Sequence, residues 1–139
     1  MIKHYTILSA LLIMVFLVLI ACGRDEEQLP PTGTSVGGSV LETGLEIDEE
    51  LLITSVQTTF MPNEIFYFYF HNNVIFGTGQ VTVQLIGNSN ERVLAQSNYE
   101  VNPDDDSLTD KIWFGSPGRY TIVVKVGSEI RATQEVIIE

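Results

Sequence analysis

The chain has 139 residues, of which 45% are hydrophobic, and carries 18 acidic against 7 basic side chains for a formal charge of −11. So acidic a protein does not coat nucleic acid or bind anionic lipid headgroups through charge. One cysteine cannot close an internal disulfide, and two histidines leave little material for a zinc site or a nucleophile–base pair.

Ile7 to Ala21 is an uncharged run with Ser9 as its one polar interruption, preceded by Lys3 and the α-amino group. This is the layout of a secretory signal peptide, drawn as a helix that is removed after export. A membrane-spanning helix needs ~20 apolar residues to cross the hydrocarbon layer, so the run is short for a permanent anchor. It ends in Leu19-Ile20-Ala21-Cys22. There the chain resembles the bacterial lipobox, in which a branched apolar residue, a small or apolar residue and a small residue precede the cysteine. The resemblance implies cleavage between Ala21 and Cys22, a diacylglyceryl group on the Cys22 thiol, and attachment to a membrane through that lipid. Two or three acyl chains hold a protein where a single chain binds only reversibly. Lipidation also accounts for a lone cysteine in an exported chain.

Gly23 follows, not the aspartate that marks many enteric lipoproteins for the inner membrane, which points to the outer membrane or the cell surface. Arg24-Asp25-Glu26-Glu27 resembles the acidic export signal of some Bacteroidota lipoproteins. A solvated tether would carry the same residues. From Gly23 to about Gly44 the chain is rich in Gly, Pro, Thr and Ser, with Pro30-Pro31 and Gly37-Gly38 and no sustained hydrophobic period. The expected organisation is therefore a signal peptide over 1–21, a lipidated N-terminus and flexible linker over 22–50, and one folded domain over 51–139. Loss of residues 1–21 removes Lys3 and no acid, so the mature chain carries −12.

After Leu51 short apolar runs alternate with turn residues. Strands are expected at about Leu51–Thr59, Ile65–Asn72, Gln80–Ile86, Val93–Val101, Leu108–Phe114, Arg119–Val126 and Ile130–Ile138. No window after the first 21 residues has helical periodicity. Seven short strands at this spacing predict an all-β, antiparallel two-sheet sandwich. In the last two, Tyr120, Ile122, Val124 and Val126 share a face, as do Ile130, Ala132, Val136 and Ile138, and both sets are expected inward. Thr121, Lys125, Arg131, Thr133 and Glu135 are expected outward, with Gly127-Ser128 as a two-residue hairpin turn.

Phe60-Met61-Pro62-Asn63-Glu64 leading into Ile65-Phe66-Tyr67, together with Pro117-Gly118-Arg119-Tyr120, resembles the immunoglobulin-like domains of exported bacterial lipoproteins. In these a Phe-x-Pro-Gly-Glu turn opens the second strand and Pro-Gly-x-Tyr the sixth. Asn63 stands where glycine is commoner, and asparagine also tolerates the left-handed backbone. The resemblance implies an immunoglobulin-like sandwich, with Tyr120 closing its own loop through its hydroxyl.

The chain has no phosphate-binding glycine loop, no Gly-x-Ser-x-Gly elbow and no His-Glu-x-x-His. His4 lies in the signal peptide, and His71 ends a strand beside Asn72-Asn73 without a second histidine or a cysteine. Asp104-Asp105-Asp106 with Asp110 has the density of a calcium loop but lacks EF-hand spacing, so a solvated acidic turn is the expectation. No catalytic residue, metal ligand or cofactor is assigned. The candidate binding patch is Tyr67, Tyr69 and Trp113. Phe66, Phe68 and Phe70 alternate with the two tyrosines, and Trp113 is out of parity with Ile112 and Phe114. Such a strand is either central, with a loop over its second face, or the floor of an exposed platform. The functional expectation is a non-enzymatic lipoprotein module serving an envelope protein partner or envelope structure. The alternative is a carbohydrate- or small-ligand-binding surface module.

Overall fold

The computed structural model describes residues 35–139. The signal-peptide run, Ala21, Cys22 and the tether as far as Thr34 lie outside the described residues. The described part is all strand and loop, with eight strands in two sheets. In chain order these are β1 (Val40–Gly44), β2 (Thr59–Phe60), β3 (Phe66–His71), β4 (Gln80–Gly87), β5 (Arg92–Glu100), β6 (Ser107–Ile112), β7 (Gly118–Val126) and β8 (Glu129–Ile138). One sheet has the order β1-β3-β6 and the other β2-β8-β7-β4-β5. All pairings are antiparallel except β2 with β8.

Alternation builds the core. Phe66, Phe68 and Phe70 point from β3 into the space between the sheets and are fully buried, while Tyr67, Tyr69 and His71 turn to the outer face. Opposite them stand Val81 and Val83 of β4, Ile122 and Val124 of β7, and Ala132, Val136 and Ile138 of β8. Stacked rings run through one end of this core: Phe60 on Phe66 at 3.8 Å, Phe66 on Phe114 at 6.1 Å, and Phe114 on Tyr120 at 4.2 Å between centroids. Offset stacking adds to the area each ring buries.

The turns behave as their residues dictate. Glu64 N–H donates to the Met61 carbonyl at 3.1 Å, and the Glu64 carboxylate accepts the Met61 N–H at 2.9 Å. Pro62 takes the second position of this turn and Asn63 the third, with φ of 64°, the left-handed conformation anticipated for it. The Tyr120 hydroxyl donates to the Ser116 carbonyl at 2.8 Å and closes the loop before β7. Gly127-Ser128 joins β7 to β8 as a two-residue turn, and Gly127 supplies its positive φ of 61°.

Three expectations are corrected. The tether does not run to Gly44, nor does folding wait for Leu51: Val40–Gly44 pairs with β3 along its whole length, from Val40 opposite His71 to Gly44 opposite Tyr67. Five residues are too short to carry a persuasive period, but their alternation buries Leu41 and Thr43. The strand expected over Leu51–Thr59 is reduced to Thr59–Phe60. Before it the chain makes a small loop, with Ile47 bridging Ile53 and Leu51 at φ 65°. Finally, Ile130 is 49% exposed, not inward. A β-bulge shifts the register, so Val124 faces Ala132 while Lys125 faces Ile130, and the extra residue turns Ile130 outward. Eight strands thus replace the expected seven.

Candidate functional site

The three-stranded sheet presents the candidate patch on its outer face. β3 is its central strand, so Tyr69 lies between Glu42 of β1 and Thr109 of β6, and Tyr67 between Gly44 and Lys111. Both tyrosines are half-buried. The loop between β1 and β2 crosses this face. The Thr109 hydroxyl donates to the Leu51 carbonyl at 3.0 Å, and a Cβ on Gly44 would stand 2.5 Å from the Ser55 carbonyl oxygen and 2.6 Å from Ile53. Only glycine permits that approach.

Trp113 follows β6 and is 59% exposed; Ile65, just before β3, is 54% exposed. Phe66 pairs with Ile112, so continuing the antiparallel register sets Ile65 against Trp113. The Asn63 N–H donates to the Phe114 carbonyl at 2.8 Å and holds the two segments together beyond the strands. The three candidate aromatics do not form one stacked group among the described residues. Tyr69 lies parallel to His71 at 6.5 Å, and Trp113 makes no ring contact with Tyr67 or Tyr69. Burial, with the carboxylates of Asp106 and Glu42 nearby, raises the Tyr69 phenol above its ordinary pKa and keeps it neutral. His71 Nδ1 lies 3.7 Å from the Asp106 carboxylate.

The acidic turn is organised by backbone. Asn102 Oδ1 accepts the Asp104 N–H at 3.1 Å, while the carbonyls of Pro103, Asp105 and Asp106 accept N–H groups of Gly77, Phe76 and Asn72. Asp110 is drawn away from this turn: it points inward from β6 and accepts the Tyr99 hydroxyl of β5 at 2.8 Å. Burial and this bond push the Tyr99 phenol up to about 12. Among the described residues no three His, Cys, Asp or Glu side chains are grouped as metal ligands.

A cleft of about 330 Å³ opens at the opposite end of β3, between the β3–β4 loop and the β7–β8 turn, lined by Ile75, Phe76, Val126, Glu129 and Arg131. Its polar wall is Asn72, which sequence reasoning missed and which is 2% exposed. Asn72 Oδ1 accepts from Arg131 Nε at 3.0 Å, and its amide nitrogen donates to the Val74 carbonyl at 3.1 Å. The Ser39 hydroxyl lies within bonding distance of the Asn72 carbonyl, at 3.3 Å. Its sequence signal was the polar pair Asn72-Asn73 directly after a strand. The described chain begins at this same end, where Ser35 bridges Ala132 and the Val36 N–H donates to the Arg131 carbonyl. Trp113 and Ile65 are therefore at the pole away from the incoming chain. A scan against protein-family models and a search of curated proteins return no match for this chain.

Proposed function

We propose that the protein is a bacterial lipoprotein, held to the extracytoplasmic side of a membrane by lipid on Cys22, and that its sandwich is a non-enzymatic immunoglobulin-like module for an envelope partner. The observation that carries the reading is Leu19-Ile20-Ala21-Cys22 at the end of an uncharged run, in a chain with one cysteine. The immunoglobulin-like part is supported by the sheet order and by the Tyr120–Ser116 bond. The strand sequence splits into β1-β3-β6 and β8-β7-β4-β5, with β2 crossing over to run parallel to β8, as in that class of sandwich.

The proposed role as a display module is supported by polarity of the molecule. The described chain begins at the Asn72 end, and Trp113 stands at the opposite pole, which a flexible tether would leave free to meet a partner. Trp113, Ile65 and Met61 are all exposed at that pole. Aromatic and apolar side chains of this kind supply contact area at protein interfaces. Metabolic labelling with a fatty acid tests the anchor: the parent incorporates label, and Cys22→Ala does not. Label that survives the substitution refutes lipidation at this residue.

A further inference from the structure

The outer face of the three-stranded sheet combines exposed apolar side chains with charge of one sign. Outward positions along β6 are Thr109 and Lys111, continued by Trp113 just beyond it, and the β1–β2 loop meets the first of them, where the Leu51 carbonyl accepts the Thr109 hydroxyl. Thr109 to Trp113 is about 13 Å of extended chain. Leu51, Ile65 and Trp113, each more than half exposed, therefore flank a strip about as long as a short strand. Charge is segregated between the two sheets. The strands of the five-stranded sheet hold Arg92, Arg119, Lys125 and Arg131 against Glu100, Glu129 and Glu135, with ion pairs between Arg119 and Glu135 at 2.9 Å and between Arg131 and Glu129 at 3.5 Å. The three-stranded face instead carries Glu42 on β1, Asp106 before β6, and Glu46, Asp48, Glu49 and Glu50 on the loop that crosses it. Lys111 is the one lysine or arginine of its strands. Among the described residues no lysine or arginine forms an ion pair with any of these carboxylates. Burial first, and then the Asp106 and Glu42 carboxylates, raise the Tyr69 phenol, so their negative field reaches the middle of the face. The Asp48 side chain accepts the Glu50 and Leu52 N–H groups at 2.8 and 2.9 Å and fixes the acidic tip of the loop.

We propose that this face docks a basic protein segment, rich in lysine or arginine with apolar side chains among the charges. Its apolar groups lie against Leu51, Ile65 and Trp113, and its cations against the carboxylates of the loop. The inference rests on the reading of the sandwich as a docking module and names the chemistry of its partner. Charge selects the occupant. Nucleic acid and anionic lipid are repelled by this field, and a second copy presenting the same face would oppose carboxylate to carboxylate. A free cation would answer the charge but leave the apolar strip open to water. Only a ligand with both features satisfies the face: apolar contact around an exposed aromatic supplies affinity, and complementary charge speeds encounter and fixes orientation.

Trp113 is the single tryptophan of the chain, so its emission reports on this face directly. The full chain in nonionic micelles, with protein-free micelles as the blank, is titrated with three short synthetic peptides of alternating Lys-Leu, Lys-Ser and Glu-Leu. Lys-Leu shifts the Trp113 emission to the blue and binds more weakly as salt rises, Lys-Ser binds roughly tenfold more weakly, and Glu-Leu does not bind. Glu49→Lys with Glu50→Lys weakens Lys-Leu binding by roughly tenfold or more. Glu91→Lys with Glu129→Lys makes the same change in net charge on the β4–β5 turn and β8, and alters binding by less than about twofold. Far-ultraviolet circular dichroism of each variant establishes that the sandwich is intact. Absence of Lys-Leu binding overturns the proposal, as does equal weakening by the two double variants, which would mean that net charge alone matters. So does Lys-Ser binding as tightly as Lys-Leu, or binding of Glu-Leu. An emission already blue in the chain alone, moving to the red on dilution, would make a second copy the occupant and overturn it too. None of these results touches lipidation at Cys22, which fatty-acid labelling tests separately.

Discussion

Replacing Tyr99 by phenylalanine removes one hydroxyl and keeps the ring. The ring stands edge-on to Phe68 at 6.3 Å between centroids, so packing in the core survives. What is lost is the 2.8 Å bond to Asp110, which joins β5 in one sheet to β6 in the other. A hydrogen bond to a charged group contributes about 1.5–3 kcal/mol when sequestered. Tyr99 is only half-buried and water reaches Asp110, so about 1 kcal/mol is the expected loss at neutral pH. For a domain of this size that lowers Tm by roughly 4–8 °C. The pH dependence follows from the same bond. The folded pKa, pushed up to about 12, lies above the ordinary value of 10.0, so the neutral phenol favours the folded state. Its contribution is complete below pH 10 and disappears as pH rises through about 12. Urea unfolding of parent and Tyr99→Phe between neutral pH and pH 12 should therefore show a stability gap that closes across this window. In an Asp110→Asn background the same substitution should cost less. Equal stability of parent and variant at neutral pH, or a gap that persists unchanged at pH 12, would refute the account.

Val124→Asp should unfold the domain, because Val124 is fully buried between Val83 and Ala132 and an unpaired carboxylate there costs several kcal/mol against ~5–15 in total. Lys125→Asp, on the outer face opposite Thr82 and Ile130, should cost under about 1 kcal/mol; equal losses in thermal melts would refute this register. Gly44→Ala forces the Ser55 backbone away and should cost about 1–3 kcal/mol, with faster proteolysis between Leu45 and Thr58 as the accompanying sign. Tyr69→Ala should cost roughly 2 kcal/mol because its ring is half-buried, whereas Trp113→Ala, being mostly exposed, should barely move Tm.

The elements legible in the sequence were those whose own residues impose a two-residue period or a specific turn. Phe66–Phe68–Phe70 and Ile122–Val124 define inward faces without reference to any neighbour, and Gly127-Ser128 and Pro62-Asn63 bend the chain through backbone preferences that are local. Of the patch, parity set Trp113 opposite Ile112 and Phe114 but left open whether it was covered, and it likewise left open the partial cover over Tyr67 and Tyr69. That cover depends on Gly44 lying beneath Ser55, a contact between segments whose separate compositions suggested a linker and a strand. The Ile130 face was misread for a similar reason: the bulge that turns it outward is set by where β8 meets β7, and nothing in Ile130-Arg131-Ala132 marks the extra residue. Asp110 read locally as part of an acidic turn; its inward carboxylate acquires a role only because the edges of two different sheets bring Tyr99 within 2.8 Å. Sequence alone determined strand character, the turns and the Leu19–Cys22 motif, since each rests on interactions between near neighbours in the chain. Tertiary structure decided which edges are covered, which faces a loop crosses and which polar groups meet, since these depend on groups brought together from distant parts of the sequence.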